Sequence, residues 1–454
     1  MRKLFGTDGI RGVAGEFPLD AATSFLIGRA IAHHLRRPNG ALRVVLGQDT
    51  RESGGWIADA VAAGLVSAEV EVESAGIATT PAIAYLARAR GYAAGVVISA
   101  SHNPWTDNGI KVFAGTGYKL PDEVELEIEH EIFALLAGAP RQEAAADQAA
   151  RTPSLPGNAA LRREYVEWLA GCAAGADLSG LHVVADCAEG AASALAPEVF
   201  SACGVRATFL HNAPDGHNIN DHCGALYPEV VAKAVAEAGA DLGVTFDGDA
   251  DRALFADAGG KIVNGDAILL LAARALKARG ELPGDVVVAT TMSNMGLEAA
   301  LRRSGIRMLR APVGDKYVLE EMQRSSAALG GEQSGHIIFS ATHTTGDGLL
   351  TALKVLEIVA ASGKPLAELV KDLHVFPQVI QNVRVREKRP LEDIPEVARA
   401  IAQAEQELDG NGRVVVRYSG TEPLARVMVE AASEEKMRST AEAIATAIAK
   451  ALGA

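Results

Sequence analysis

The chain has 454 residues, of which 48% are hydrophobic and 22% charged. That is too long for one ordinary domain and supplies enough apolar side chains for several buried cores, which excludes extensive disorder. A net charge of −14 argues against a nucleic-acid partner, which favours a basic face. Phosphate groups remain acceptable ligands, provided that arginine, lysine and backbone N–H groups hold them locally. No run of about 18 apolar residues is present, so no membrane span is expected. The opening MRKLFGTDGIRG turns to glycine and charge after one short apolar pair, unlike a secretory signal. The expected compartment is the cytoplasm.

In chain order, short β-branched runs alternate with Ala- and Leu-rich stretches of helical period. The runs RVVLGQD (43–49), VVIS (96–99), HVVAD (182–186), LGVTFD (242–247) and VVVAT (286–290) read as buried parallel strands. LDAATSFLIGRAIAHHL, YPEVVAKAVAEAGA, DAILLLAARALKARG and LLTALKVLEIVAAS read as helices. The alternation predicts an α/β fold. RVVLGQDTRESGG, HVVADCAEGAAS and VVVATTMSNMG each run from a strand through small or polar residues toward a helix, as three related units would. The stretch 138–158 is polar, Ala- and Pro-rich, and reads as a linker. From about 375 onward, VFPQVIQNVRV, RVVVRYSGT and ARVMVEAAS with two helical stretches predict a small α+β domain. The expected division is 1–155, 156–256, 257–371 and 372–454.

The four cysteines, Cys172, Cys187, Cys203 and Cys223, form no CxxC pair and read as reduced thiols. His211, His217, His222 and Cys223 are close in sequence, but their spacing matches no standard zinc pattern. That stretch reads as a polar loop.

Five segments carry chemistry. In GVVISASHNPWTDNGIKVF (95–113) an apolar strand stops at Ser99-Ala100-Ser101-His102, at the sheet edge where open α/β folds place ligands. Ser101, flanked by His102 and with Lys111 turned back by the Asp107-Asn108-Gly109 bend, suits acceptance and return of a phosphoryl group. An ordinary polar loop is the plain alternative. In LGVTFDGDADRALFAD (242–257) Asp247, Asp249 and Asp251 alternate at a strand end, so an extended loop turns all three to one side. Three like charges so close call for a cation, and hard oxygen ligands near phosphate favour Mg²⁺. Arg252 and Ala258 stand where an EF-hand needs glycine and glutamate, which excludes that motif.

In GGEQSGHIIFS (330–340) Glu332, Ser334 and His336 alternate before an apolar strand. The first two suit hydrogen bonds to sugar hydroxyls and the third a proton transfer, against a simple turn. In VVVRYSGTEPLARVMVE (414–430) Arg417, Ser419, Gly420, Thr421 and Arg426 form a local phosphate cradle, against a turn with two surface arginines. Gly6-Thr7-Asp8-Gly9-Ile10-Arg11-Gly12 opens the chain with glycines suited to close approach and with Arg11 for a phosphate. It lacks a dinucleotide fingerprint.

Taken in order, GTDGIRG, SASHNP, DGDADR, GEQSGH and RYSGTEP span nearly the whole chain and resemble the α-D-phosphohexomutase superfamily. The GTDGIRG start, Gln333, the ARVMVE ending, PDGHNIN, CGA and TTGDGLL are most similar to its bacterial phosphoglucosamine mutase branch. The resemblance implies three similar mixed α/β domains plus a smaller C-terminal α+β domain around a central cleft. It implies interconversion of glucosamine 6-phosphate and glucosamine 1-phosphate through a phosphoserine and glucosamine 1,6-bisphosphate, feeding amino-sugar nucleotide and cell-wall precursor synthesis. By the same resemblance, Ser101 is the phosphoserine, and Asp247, Asp249 and Asp251 bind one Mg²⁺ with a phosphoserine oxygen. Glu332 and Ser334 contact sugar hydroxyls, and Arg417, Ser419, Gly420, Thr421 and Arg426 clamp phosphate. Arg11, His102, Lys111, Arg252 and His336 supply charge or proton transfer. The implied partner is a small sugar phosphate, and a homodimer is left open.

Two residues depart from the branch's pattern. Ala250 replaces a usual glycine, and Lys316 replaces a usual arginine, keeping the charge but losing the bidentate fork. Three rival readings remain: a mutase of glucose or mannose phosphates, a phosphatase using Asp247 as nucleophile, and a catalytically silent sugar-phosphate sensor.

Overall fold

Every β-branched run read as a buried strand forms one, and each lies between two neighbours. In this computed structural model the first sheet contains β1 (Ile10–Val13), β2 (Leu42–Gln48), β3 (Val70–Ile77), β4 (Ala94–Ile98) and β5 (Asp107–Ala114), in the order β1-β5-β4-β2-β3. The second contains β6 (His182–Asp186), β7 (Arg206–Leu210), β8 (Leu242–Phe246), β9 (Ala253–Asp257) and β10 (Ile262–Val263), in the order β10-β9-β8-β6-β7. The third contains β11 (Val286–Thr290), β12 (Arg307–Ala311), β13 (Leu329–Gly331) and β14 (Ile337–Phe339), in the order β12-β11-β13-β14. The residues described are 4–6, 8–35, 42–138, 155–410, 412–419 and 423–453. Most of the expected linker, together with Thr7, Gly420 and Thr421, lies outside them.

The three sheets share one plan. In each, a central parallel trio (β4-β2-β3, β8-β6-β7, β13-β11-β12) is extended by a strand running the other way. The sheets are therefore mixed, as in the three similar mixed α/β domains that the resemblance implies, although the strand runs alone read as parallel. The reason is connection length. Residues 99–106, 247–252 and 332–336 join β4 to β5, β8 to β9 and β13 to β14. A parallel return needs a crossover of about a dozen residues or more, whereas these short links force hairpins. All residues of β4, β8 and β11 are buried, which explains why their sequences are continuously apolar rather than alternating.

Helices Ala21–Leu35, Gly54–Val66 and Asp122–Leu136 cover the first sheet through a core that includes Ile27, Ile31, Val44, Leu46, Val61, Val96, Ile98 and Ile132. Helix Pro228–Ala238 lies on β6, β8 and β9, with Val184, Val231, Val235 and Ala256 in one cluster.

The chain divides into two compact units, residues 1–292 with 306–370, and residues 293–305 with 371–454. The first carries the three sheets above. In the second, β15 (Gln378–Arg384), β16 (Gly412–Tyr418) and β17 (Leu424–Ala431) form an antiparallel sheet in the order β15-β17-β16. Helices Pro395–Leu408 and Glu434–Leu452 pack on it through Val397, Leu408, Val427, Val429, Ile444 and Ile448. This is the α+β arrangement expected there. Among the described residues no helix is long and apolar enough to cross a membrane.

Candidate active site

The hairpins after β4, β8 and β13 occupy the same place in the three sheet plans, and each carries one of the sequence-predicted segments. The apolar run of β4 ends at Ile98, and Ser101 adopts a left-handed φ of 53°, unusual for a residue with a side chain. Buried groups hold that conformation. Arg51 donates from Nη2 to the carbonyl oxygens of Ser101 (2.9 Å) and Asn103 (2.8 Å), and from Nη1 to those of Pro104 and Asp107. Its Nε donates to Asp49 at 2.9 Å. Asn220 donates to the Ser101 and Asn103 carbonyls from the other side, at 2.9 and 3.1 Å. Gly248 completes the seat, because a Cβ there would lie 2.5 Å from the Ser101 carbonyl oxygen.

The Ser101 hydroxyl donates to Asp247 Oδ2 at 2.5 Å and lies 3.3 Å from His102 Nδ1. Burial, then the charges of Arg252 and Arg11, push the His102 pKa down to about 4, so its imidazole is neutral near pH 7.

Asp247, Asp249 and Asp251 are all buried, and one ligand atom from each falls within 4.8 Å of the others. Burial, then the charges of Asp251 and Asp249, hold the Asp247 carboxyl well above the usual carboxylate range. Asp249 Oδ1 and Asp251 Oδ1 are buried with no hydrogen-bond partner. Orphaned anionic oxygens converging on one point are a costly arrangement that a divalent cation relieves, so the residues fit a hard metal ion. Lys111 supplies part of the balance: Nζ lies 2.8 Å from Asp249, 2.8 Å from Asp8 and 3.9 Å from Asp251. Burial favours its neutral form, but Asp249, Asp8 and Asp251 outweigh burial and hold its pKa above that of an ordinary lysine. Lys111 is therefore a fixed cation and unsuited to act as a base.

A cavity of about 410 Å³ adjoins these groups, with Arg11, His102, Asp251, Arg252, Glu332 and His336 among its lining residues. Arg11 is held by Asp8 (2.6 Å) and Asn103 (3.3 Å). Glu332 accepts the Gly314 N–H at 3.0 Å and the Ser334 hydroxyl at 3.2 Å. His336 Nδ1 lies 3.5 Å from Asp251, while the Gly346 N–H donates to Nε2 at 3.1 Å. Burial opposes the imidazolium, and Asp251, Asp315 and Glu332 favour it, for a net rise in pKa. The donated Gly346 hydrogen bond, however, requires a bare Nε2. That direct contact puts a single proton on Nδ1, facing Asp251.

Ser101, His102, Lys111, Arg11, the three aspartates, Arg252, Glu332, Ser334 and His336 are thus gathered in the first unit. Lys316, where an arginine was expected, pairs with Asp122. In the second unit, Arg417 on β16 stands directly opposite Arg426 on β17. Ser419 is buried, and its carbonyl oxygen accepts a bond from Lys388 at 2.6 Å.

Four descriptions of one family match the chain: phosphoglucomutase/phosphomannomutase α/β/α domain I over residues 2–137, domain II over 163–260, domain III over 264–376 and the C-terminal domain over 381–447. The chain belongs to the phosphoglucomutase/phosphomannomutase family. Like its relatives, it is an enzyme of the phosphohexomutase type, in the isomerase class. Two curated relatives are the phosphoglucosamine mutases of Koribacter versatilis, 61% identical over 100% of this chain and 98% of that one, and of Solibacter usitatus, 51% identical over 100% and 99%. Among solved structures, a phosphoglucomutase/phosphomannomutase family protein from Burkholderia thailandensis superposes with a TM-score of 0.78 at 26% identity, covering 98% of this chain and 97% of the other. The N-acetylphosphoglucosamine mutase of Aspergillus fumigatus, solved with GlcNAc-6P and magnesium, shares the fold at a TM-score of 0.67 and 19% identity, covering 99% and 96%.

Several residues of this candidate site carry no signal in the sequence. Thr80 donates through its hydroxyl to Asp249 Oδ2 and through its N–H to the Asp249 carbonyl. Lys119 pairs with Asp8 (2.5 Å) and with Asp315, extending the charge array beyond Lys111. Arg51 and Asn220 sat in view, in DTRESGG and PDGHNIN. Nothing in their local spacing shows that they grip the same loop from different domains of the family.

Proposed function

We propose that the chain interconverts glucosamine 6-phosphate and glucosamine 1-phosphate, with Ser101 carrying the phosphoryl group between the two ends of the sugar. One observation carries the reading: a strained serine hydroxyl lies 2.5 Å from Asp247, within the aspartate triplet and beside the cavity lined by Glu332. The substrate follows from relatives named phosphoglucosamine mutase at 61% and 51% identity.

In the forward direction a sugar hydroxyl attacks the phosphorus of phospho-Ser101, the Oγ–P bond breaks, and a 1,6-bisphosphate forms. After the sugar reverses, the Ser101 oxygen attacks the other phosphate and releases product. In the first half His102, neutral and beside Oγ, takes the sugar hydroxyl proton and passes it to the departing Ser101 oxygen; in the second it takes the Ser101 proton and passes it to the departing sugar oxygen. Lys111, Arg11 and Arg252 keep permanent positive charge around the transferring group, whose barrier is lowered chiefly by positioning and charge stabilisation. One Mg²⁺, held by Asp247, Asp249, Asp251 and a phosphoserine oxygen, would add the largest local charge to that array. Glu332 and Ser334 orient sugar hydroxyls, and His336 serves as the second proton-handling group.

Arg417, Ser419, Gly420, Thr421 and Arg426 are assigned the phosphate that is not being transferred. Arg417 and Arg426 stand directly opposite on adjacent strands, so both guanidinium groups are placed to reach one phosphate. The activity is assigned to the cytoplasm, in keeping with four cysteines that no disulfide joins.

Intact-mass measurement after incubation with glucosamine 1,6-bisphosphate tests the reading: the chain should gain one phosphoryl group, and Ser101→Ala should gain none and lose mutase activity. Comparison of kcat/KM on glucosamine, glucose and mannose 6-phosphates tests the substrate. A preference for either of the last two would move the assignment to a phosphoglucomutase or phosphomannomutase.

A further inference from the structure

A second group of metal-ligating side chains converges in the second sheet. Asp186 ends β6, and His211 follows the last residue of β7, which pairs in parallel with β6 so that Leu210 stands opposite Asp186. Cys223 arrives from the loop that follows, and one ligand atom from each of the three lies within 4.8 Å of the others. Three ligand types thus come from three separate segments to one end of a sheet.

The details point the same way. Asp186 is fully buried, accepts only the N–H groups of Ala188 (2.9 Å) and Gly224 (3.1 Å), and has His211 as its one ion-pair partner among the described residues. His211 takes a left-handed φ of 46°, which brings Nδ1 to 3.1 Å from Asp186 Oδ1. That nitrogen is buried and makes no hydrogen bond of acceptable geometry. The Cys223 thiol is fully buried. His217 and His222, their neighbours in sequence, go elsewhere: one packs on Trp105, the other lies exposed beside Asp221.

We propose that Asp186, His211 and Cys223 bind a thiophilic divalent ion of the Zn²⁺ class, with water as the fourth ligand. Mixed carboxylate, imidazole and thiolate ligation suits zinc and disfavours magnesium, which prefers oxygen alone. On binding, the Cys223 S–H bond breaks, its proton leaves to solvent, and a sulfur–metal bond forms without change of oxidation state. The ion ties the 211–223 loop to β6 and β7. That loop contains Asn220, which holds the Ser101 carbonyl, so occupancy steadies the seat of the reactive serine from behind.

Cobalt(II) added to metal-stripped protein separates this site from the aspartate triplet, because only sulfur ligation gives a sulfur-to-cobalt charge-transfer absorption. The expected result is such a band saturating at one cobalt per chain, displaced by zinc, absent in Cys223→Ser, and requiring at least about tenfold more cobalt in His211→Ala. The partly exposed His211 keeps the test open if the cysteine variant fails to fold. No band at saturating cobalt, a band that survives in Cys223→Ser, or unchanged affinity in His211→Ala would each overturn the proposal.

Discussion

Arg51 donates to the carbonyl oxygen of Ser101 at 2.9 Å from a fully buried guanidinium that also serves three further carbonyls and Asp49. No other side chain offers a planar fork of five donors, and lysine brings a single point charge. Arg51→Lys is expected to lower kcat by at least tenfold and to cost about 2–4 kcal/mol of stability, since several buried acceptors lose their donor. Chemical denaturation and steady-state kinetics check the two parts. A variant with wild-type kcat would show that the loop holds its own shape.

Ala250 occupies a left-handed φ of 55° in the loop of the aspartate triplet while fully buried. Three contributions of about 1 kcal/mol meet in Ala250→Gly: relief of the left-handed strain, loss of a buried methyl, and greater freedom of the unfolded chain. The first opposes the other two, so the change in stability should stay within about 1 kcal/mol. Ala250→Val adds branching where the backbone and the packing both forbid it, and should cost roughly 2–3 kcal/mol. Thermal denaturation of the two variants distinguishes these outcomes.

The orphaned oxygens of Asp249 and Asp251 predict linkage between magnesium and folding. At a concentration near 100 times the dissociation constant, the ion should stabilise the protein by about 2.7 kcal/mol. The shift should disappear in Asp249→Asn combined with Asp251→Asn. An identical rise in Tm for that double variant would place the ion elsewhere.

Asp347 caps helix Gly348–Ser362 by accepting the Leu350 N–H at 3.0 Å, and also accepts the Tyr165 hydroxyl at 2.7 Å. Burial pushes its carboxyl up to about 6, above the unfolded value of 3.8. The folded chain therefore binds this proton first, and its contribution to stability grows as the pH falls through 6. Asn at 347 keeps the cap but cannot titrate. Relative to Asp347→Asn, the wild type should gain roughly 2 kcal/mol between about pH 7.5 and about pH 4.5. Neighbouring His343, at 3.9 Å and pushed down to about 3, titrates alike in both proteins and cancels. A stability difference that does not change with pH would refute the assignment.

Much of the first unit was legible because continuous apolar strands such as Val96–Ile98 and Leu242–Phe246 end abruptly in polar loops. The serine and the aspartate triplet each sit at such an ending, so both announced themselves locally. Strand direction was hidden, since the hairpin partners Asp107–Ala114 and Ala253–Asp257 begin inside what looked like loops. The grip of Arg51 and Asn220 on Ser101 depends on contacts 50 and 119 residues apart in sequence. No local pattern encodes such a distance. His211 and Cys223 were weighed by spacing alone, and their third companion, Asp186, lies in what reads only as a strand end.

The hairpins after β4, β8 and β13 stand at matching points of three repeated sheets, yet one bears Ser101, another the aspartate triplet and the last Glu332 and Ser334. Duties that a compact catalytic motif would crowd into one short segment are parcelled out among three separately buttressed scaffolds. Under the proposed function, substitutions near Glu332 are expected to change sugar preference while leaving phosphorylation of Ser101 intact.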